Sequence, residues 1–165
     1  MCAAALARHA GARVIGTVRS SAEEPAARKA GAHEVVLNDQ GVVERIKVLA
    51  PDGVDHIVEV AFGANIDADV EMLKMGGSIG AYATDTATPK IPFWLMVFKN
   101  IRVFFLGSDD FPTEAKVAAT QDLNDALQAG WAGFEIGERV PLAEIARAHE
   151  LVEHPERRGR VVVTV

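Results

Sequence analysis

The chain has 165 residues, 49% of them hydrophobic, which suits one domain of ordinary size with a sizeable core. A net charge of −6 and an isoelectric point near 5.3 carry no basic excess, so the electrostatic footprint of a nucleic-acid or anionic-membrane partner is missing, and small molecules or proteins remain. The single cysteine, Cys2, excludes an internal disulfide framework and fits a reducing compartment, so a cytoplasmic location is expected.

"MCAAALARHAGA" has its apolar run broken by Arg8 and His9 and reads as an amphipathic helix, not a leader. "ARVIGTV" (12–18) is a β-rich run, "EEPAARKAGA" (23–32) a helix closed by Gly31, and "HEVVLN" (33–38) a second strand. A helix over 42–53, ended by Pro51 and Gly53, leads to the apolar strand "VDHIVEVA" (54–61). A helix over 66–77 then precedes the strand "SIGAYAT" (78–84), with Gly76, Gly77 and Gly80 read as helix-capping glycines. Apolar runs without clean alternation fit strands covered on both faces, as in a parallel sheet with helical crossovers.

After Thr84 a polar loop, "DTATPK", leads into "IPFWLMVFKNIRVFFLG" (91–107), the most apolar stretch. Lys99 and Arg102 interrupt it below bilayer-spanning length, so it reads as a short helix and then a core strand at 101–107. A long helix (113–131), a strand around "IGERVP", a helix over 142–153 and a closing strand "RVVVTV" complete the chain. The expected organisation is an α/β domain over 1–131 and a helix-strand appendage over 132–165. His9, His33, His56, His149 and His154 lack ligand spacing, so no metal site is expected, and no residue stands out as a catalytic acid or base.

Taken in order, "AGARVIGTVRSSAE", "AGAHEVV", "GVDHIVEV", "KNIRVFFLG" and "PLAEIARAHELVE…GRVVVTV" resemble the cofactor half of the zinc-independent NADPH:quinone oxidoreductases of the medium-chain dehydrogenase superfamily. The resemblance implies a doubly wound, Rossmann-like parallel sheet, and an NADPH-dependent reductase of quinones or α,β-unsaturated carbonyls. It also implies that the chain starts just past the first strand and the glycine loop that holds the pyrophosphate, so weak cofactor binding and an inactive fragment are expected. In the order 3-2-1-4-5-6 that first strand is central. Its loss should separate the strands at 13–18 and 34–37 from those at 55–60, 78–83 and 101–106, so that strands on either side pair directly, another chain fills the slot, or the fold loosens.

In such folds ligands sit at the carboxyl ends of the strands. Arg19, Ser20 and Ser21 follow the first strand with no acid among them, so Arg19 can offer a charge-assisted fork to a ribose 2′-phosphate and the serines can add hydroxyls. The alternative is a solvated arginine and a serine helix cap. Glu23, where these reductases often carry lysine, would repel that phosphate. Asn38 can bond the adenosine end or serve as a turn residue. Val60 and Ala61, then Ala83, then Leu106 and Gly107, resemble the family's backbone-lined wall beside the cofactor and offer shape and amide groups. Arg160 resembles a family lysine near the cleft, or is a plain surface residue. The strand at 101–107 resembles the edge through which family dimers join, which makes homo-oligomers expected and a non-catalytic association module the alternative function.

Overall fold

The computed structural model describes residues 2–131, 133–153 and 159–165. They form two units, Ala3–Ala118 and Ala119–Val165. The first carries β1 (Ile15–Val18), α2 (Glu24–Lys29), β2 (Glu34–Leu37), α3 (Val42–Leu49), β3 (Val54–Glu59), α4 (Phe62–Met72), β4 (Leu73–Ala81), α5 (Phe93–Phe98) and β5 (Arg102–Phe105), after the N-terminal helix α1 (Cys2–His9). Helix α6 (Thr113–Gln128) continues into the second unit, which holds β6 (Ile136–Pro141), α7 (Ile145–Glu153) and β7 (Arg160–Thr164).

Local chemistry explains most boundaries. Pro25 opens α2, where a missing N–H costs nothing. Helix α3 buries Val42 and Ile46, one turn apart, and stops before Pro51. In α4 the buried positions Phe62, Ile66, Asp69 and Val70 follow helical spacing and make one inward stripe. Its last carbonyls are not left bare, because Lys99 Nζ donates to the carbonyls of Val70 at 2.7 Å and Glu71 at 3.3 Å.

The expected helix over 66–77 differs from what forms. The chain is helical from Phe62 to Met72 and extended from Leu73, so Gly76, Gly77 and Gly80 lie within β4 and cap no helix. The β3–β4 register explains why: Val54 faces Leu73 but His56 faces Ser78, so two steps along β3 oppose five along β4. The surplus bulges out at Lys74–Gly77, where Gly76 takes φ +71. The bulge is bound on both sides, the Arg102 guanidinium donating to the Gly76 carbonyl at 2.7 Å and the Gly76 N–H to the Lys99 carbonyl at 2.7 Å.

All observed strand pairs are parallel. β1 pairs with β2, and β3–β4–β5 form a separate three-stranded sheet, the division expected from the sequence. Direct pairing across the division does not occur. What joins the two sheets is a shared apolar core, in which Val36, Val42, Ile46 and Met72 pack with Ile15 from β1 and with Val54 and Ile57 from β3. A second core sets Phe62, Ile66 and Val70 of α4 against Ile79 and Ala81 of β4.

Burial on both faces is found along Ile79–Ala81 of β4 but not in β3 or β5. Ile57 and Ile79 face α4, whereas Val58 and Phe104, on the opposite side of the pleat, stay 48% and 50% exposed. In the second unit β6 and β7 pair in parallel with α7 packed against them, and Val140 and Ala148 are buried there. No helix among the described residues is long and apolar enough to cross a membrane.

Candidate functional site

The carboxyl ends of the strands present two groups of residues. At the first, Arg19, Ser20 and Ser21 leave β1, and the Asn38 N–H donates to the Val18 carbonyl at 2.7 Å, which sets Asn38 beside the end of β1. Arg19 is not a free cation. Its guanidinium lies 3.6 Å from the Glu23 carboxyl, and its backbone N–H donates to Glu23 Oε2 at 2.9 Å. That backbone hydrogen bond, followed by the Arg19 charge, holds the Glu23 pKa below its ordinary value. Ser20 occupies the cap position before the turn Ser21–Glu23, but its side chain makes no capping bond. The Glu23 carboxyl turns back on the chain there instead. The turn after β2 is held by Asp39, which accepts from the Gly41 N–H at 2.8 Å, and not by the Asn38 side chain.

The second group lies at the ends of β3, β4 and β5. Ala83, Leu106 and Gly107 line an open cleft of about 560 Å³ together with Phe62, Tyr82 and Thr84. Phe62 and Phe105 meet edge to face there, with ring centroids 5.3 Å apart. Backbone bonds knit the strand ends together: the Tyr82 N–H donates to Glu59, Phe62 to Ala83, and Leu106 to Ala81. The cleft wall is mostly apolar, so it can exclude water from a flat ring, and its described side chains include no His, Asp or Glu.

Val60 and Ala61, expected to offer shape and amide groups to a ligand, have those N–H groups engaged within the chain. Both N–H groups donate to Glu59 Oε1, from Val60 at 2.6 Å and from Ala61 in a closer contact still. The Asn65 amide donates to both Glu59 oxygens at 3.2 Å. Behind Glu59 lies Asp69 of α4, 3% exposed beside the 5% of Glu59. Burial, and next the Glu59 charge, push the Asp69 pKa up to about 8, so it holds a proton at neutral pH. This pair was missed in the sequence, although its signal was there: an acid inside a near-continuous apolar strand, and another on the apolar stripe of a helix.

Arg160 belongs to the second unit, where its guanidinium sits 4.9 Å above the Phe134 ring. Of the histidines, His33 Nδ1 accepts from the Val14 N–H at 3.0 Å, His56 Nδ1 lies 2.8 Å from Ser78 Oγ, His149 is exposed on α7, and His154 lies outside the described residues.

Parallel strands joined by helical crossovers, with the candidate site at their carboxyl ends, define an α/β protein of the kind that places ligands at the carboxyl ends of its strands. The chain belongs to the zinc-binding dehydrogenase family, whose model matches residues 1–120. It is similar to the quinone oxidoreductase of Rattus norvegicus, 27% identical over 165 residues that cover 96% of this chain and 49% of that protein. Among solved structures it is similar to a 2-haloacrylate reductase, with a TM-score of 0.86 at 24% identity over 98% of this chain and 52% of that one. It is also similar to a mycobacterial protein solved in complex with NADPH, with a TM-score of 0.79 at 22% identity over 98% of this chain and 52% of that one. The fold is therefore Rossmann-like, as the sequence resemblance implied. The chain spans about half the length of the curated relatives it matches. Zinc does not fit the described residues, among which no group of three His, Cys, Asp or Glu is placed to hold a metal ion.

Proposed function

We propose that this chain is the cofactor-holding half of an NADPH-dependent reductase of quinones or α,β-unsaturated carbonyls. The observation that carries the reading is the gathering of Arg19 and Asn38 at the carboxyl ends of β1 and β2 and of an apolar cleft at those of β3–β5, in a chain of this family. A reduced nicotinamide, when bound, supplies the hydride. The chain's own residues bind and orient. Arg19, turned away from Glu23, would grip a 2′-phosphate in a charge-assisted fork, while Ser20, Ser21 and Asn38 contact the adenosine end. Ala83, Leu106 and Gly107 would shape the wall against which the reacting ring lies, and Phe62 and Tyr82 keep water from it. Arg160 enters this reading only by family resemblance.

Titration of the chain with NADPH and NADH tests the reading. Binding is expected to be weak, because the described residues include no glycine-rich strand-to-helix turn to cradle a pyrophosphate, but NADPH should be favoured. Arg19→Glu should abolish or reverse that preference. An unchanged ratio would leave Arg19 a surface residue and remove the phosphate assignment.

A second reading, a non-catalytic association module, is favoured by the outer edge of β5, which among the described residues has only β4 as a strand neighbour while Phe104, Phe105 and Leu106 stay 50%, 71% and 41% exposed.

A further inference from the structure

Glu59 ends β3 and Asp69 lies on the inward stripe of α4, and both carboxyls are buried within one unit, with Glu59 near enough to act on Asp69. Their hydrogen bonding is unequal. Glu59 is saturated by the N–H groups of Val60 and Ala61 and by the Asn65 amide. Asp69 stands near enough to Glu59 to feel its charge, yet its buried Oδ2 finds no hydrogen-bond partner among the described residues. Two carboxylates in contact away from water repel strongly and neither can donate, whereas a proton on Asp69 makes an orphaned acceptor into a donor.

We propose that Glu59 and Asp69 hold one buried proton between them, and that this proton locks the Val60–Ala61 turn to the end of β3, so that its loss frees the turn leading into the cleft residue Phe62. With the proton in place Glu59 remains directed at both backbone N–H groups. Without it, repulsion drives the two side chains apart, and Glu59 can relax only by giving up those bonds.

Charges on the neighbouring elements do not take over the role. Lys47 of α3 lies by Glu71 on α4, and Arg45 of α3 is bound to Asp39. Lys99 is spent on the carbonyls of Val70 and Glu71, and Lys74 of β4 is paired with Asp55 of β3. His56 of β3 faces Ser78, Arg102 of β5 binds the Gly76 carbonyl, and Asp85 stands beside Gly63 at the start of α4. Burial first, and then Glu59, raise the Asp69 pKa.

The unfolded chain releases the Asp69 proton near its ordinary 3.8 and the folded chain only at about 8. Its stabilising contribution is therefore whole below the lower value, drains as pH rises between the two, and is gone above the upper one. The inference does not depend on any cofactor, and its test uses the chain alone.

Carboxyl-carbon and amide NMR titrations of the wild type and of Asp69→Asn, which keeps the shape and a donor but cannot ionise, decide the matter. In the wild type one buried carboxyl, and with it the Val60 and Ala61 amide resonances, should titrate near the value of about 8, and Asp69→Asn should remove that step from both amides. The melting temperature of the wild type should fall from about pH 5 to 8, and that of Asp69→Asn should fall less. An Asp69 carboxyl titrating in the ordinary range, or Val60 and Ala61 amides that move alike in both proteins, would overturn the proposal. If Asp69→Asn does not fold, the wild-type carboxyl titration and the pH response of the two wild-type amides still decide it.

Discussion

Glu23 sets the terms on which Arg19 can meet an anion. A phosphate approaching the end of β1 must displace an ion pair at 3.6 Å and stand beside the carboxylate that made it. Both groups are exposed, so the pair itself adds little to stability and its weight falls on binding. Glu23→Gln removes the competitor while keeping a side-chain acceptor for the Arg19 N–H. The ratio of NADPH to NADH affinity is expected to rise severalfold in this variant, measured by the same two titrations, and a ratio that falls or stays level would show that Glu23 orients Arg19 and does not oppose the ligand. The sequence placed an acid here and foresaw repulsion. That Glu23 also binds the chain through the Arg19 backbone could not be foreseen, because it depends on the turn at Ser21–Glu23.

At the scale of elements, α4 joins the core to the cleft. Phe62 is 2% exposed at the first turn of the helix, belongs to the core with Ile66 and Val70, lines the cleft and meets Phe105. Phe62→Ala removes a large buried ring from a rigid site, and about 3 to 5 kcal/mol of stability should be lost, read from urea unfolding. A loss well under 1 kcal/mol would mean that the first turn of α4 collapses freely and does not anchor the cleft. The same helix shows why its boundaries were misplaced. Phe62 and Gly63 follow an apolar strand without a break, so periodicity alone runs the strand on through Ala61 and starts the helix late. At the other end, the bulge in β4 depends on Gly53, whose φ of +90 lets its backbone pass so close that a Cβ would stand 2.5 Å from the Lys74 nitrogen.

For the whole molecule, the decisive feature is a parallel strand set divided in two. Neither β1 nor β3 has a second strand neighbour among the described residues, and the exposed side chains of β5 add an apolar edge. Unpaired strand edges invite pairing with another chain. Dimers or larger species are therefore expected at micromolar concentration, measured by light scattering, and a monodisperse monomer would remove the association reading while leaving the cofactor reading intact.

The sequence by itself determined the order of strands and helices, the parallel α/β class, the separation of the strands into a pair and a trio, and the positions of Arg19, Asn38, Ala83, Leu106 and Gly107 at strand ends. The element order and the parallel α/β class follow from hydrophobic period and from glycine and proline placement, which are local properties, whereas the division into a pair and a trio and the residues of the cleft wall are what the family resemblance implied. Only the tertiary structure decided that Val60 and Ala61 spend their N–H groups on Glu59, that burial near Glu59 raises the Asp69 pKa, and that β4 starts early and bulges. Each of these depends on distance and burial between residues far apart in the chain. A carboxyl reads the same in sequence whether it faces water or another carboxyl in a dry core, and only packing tells the two apart.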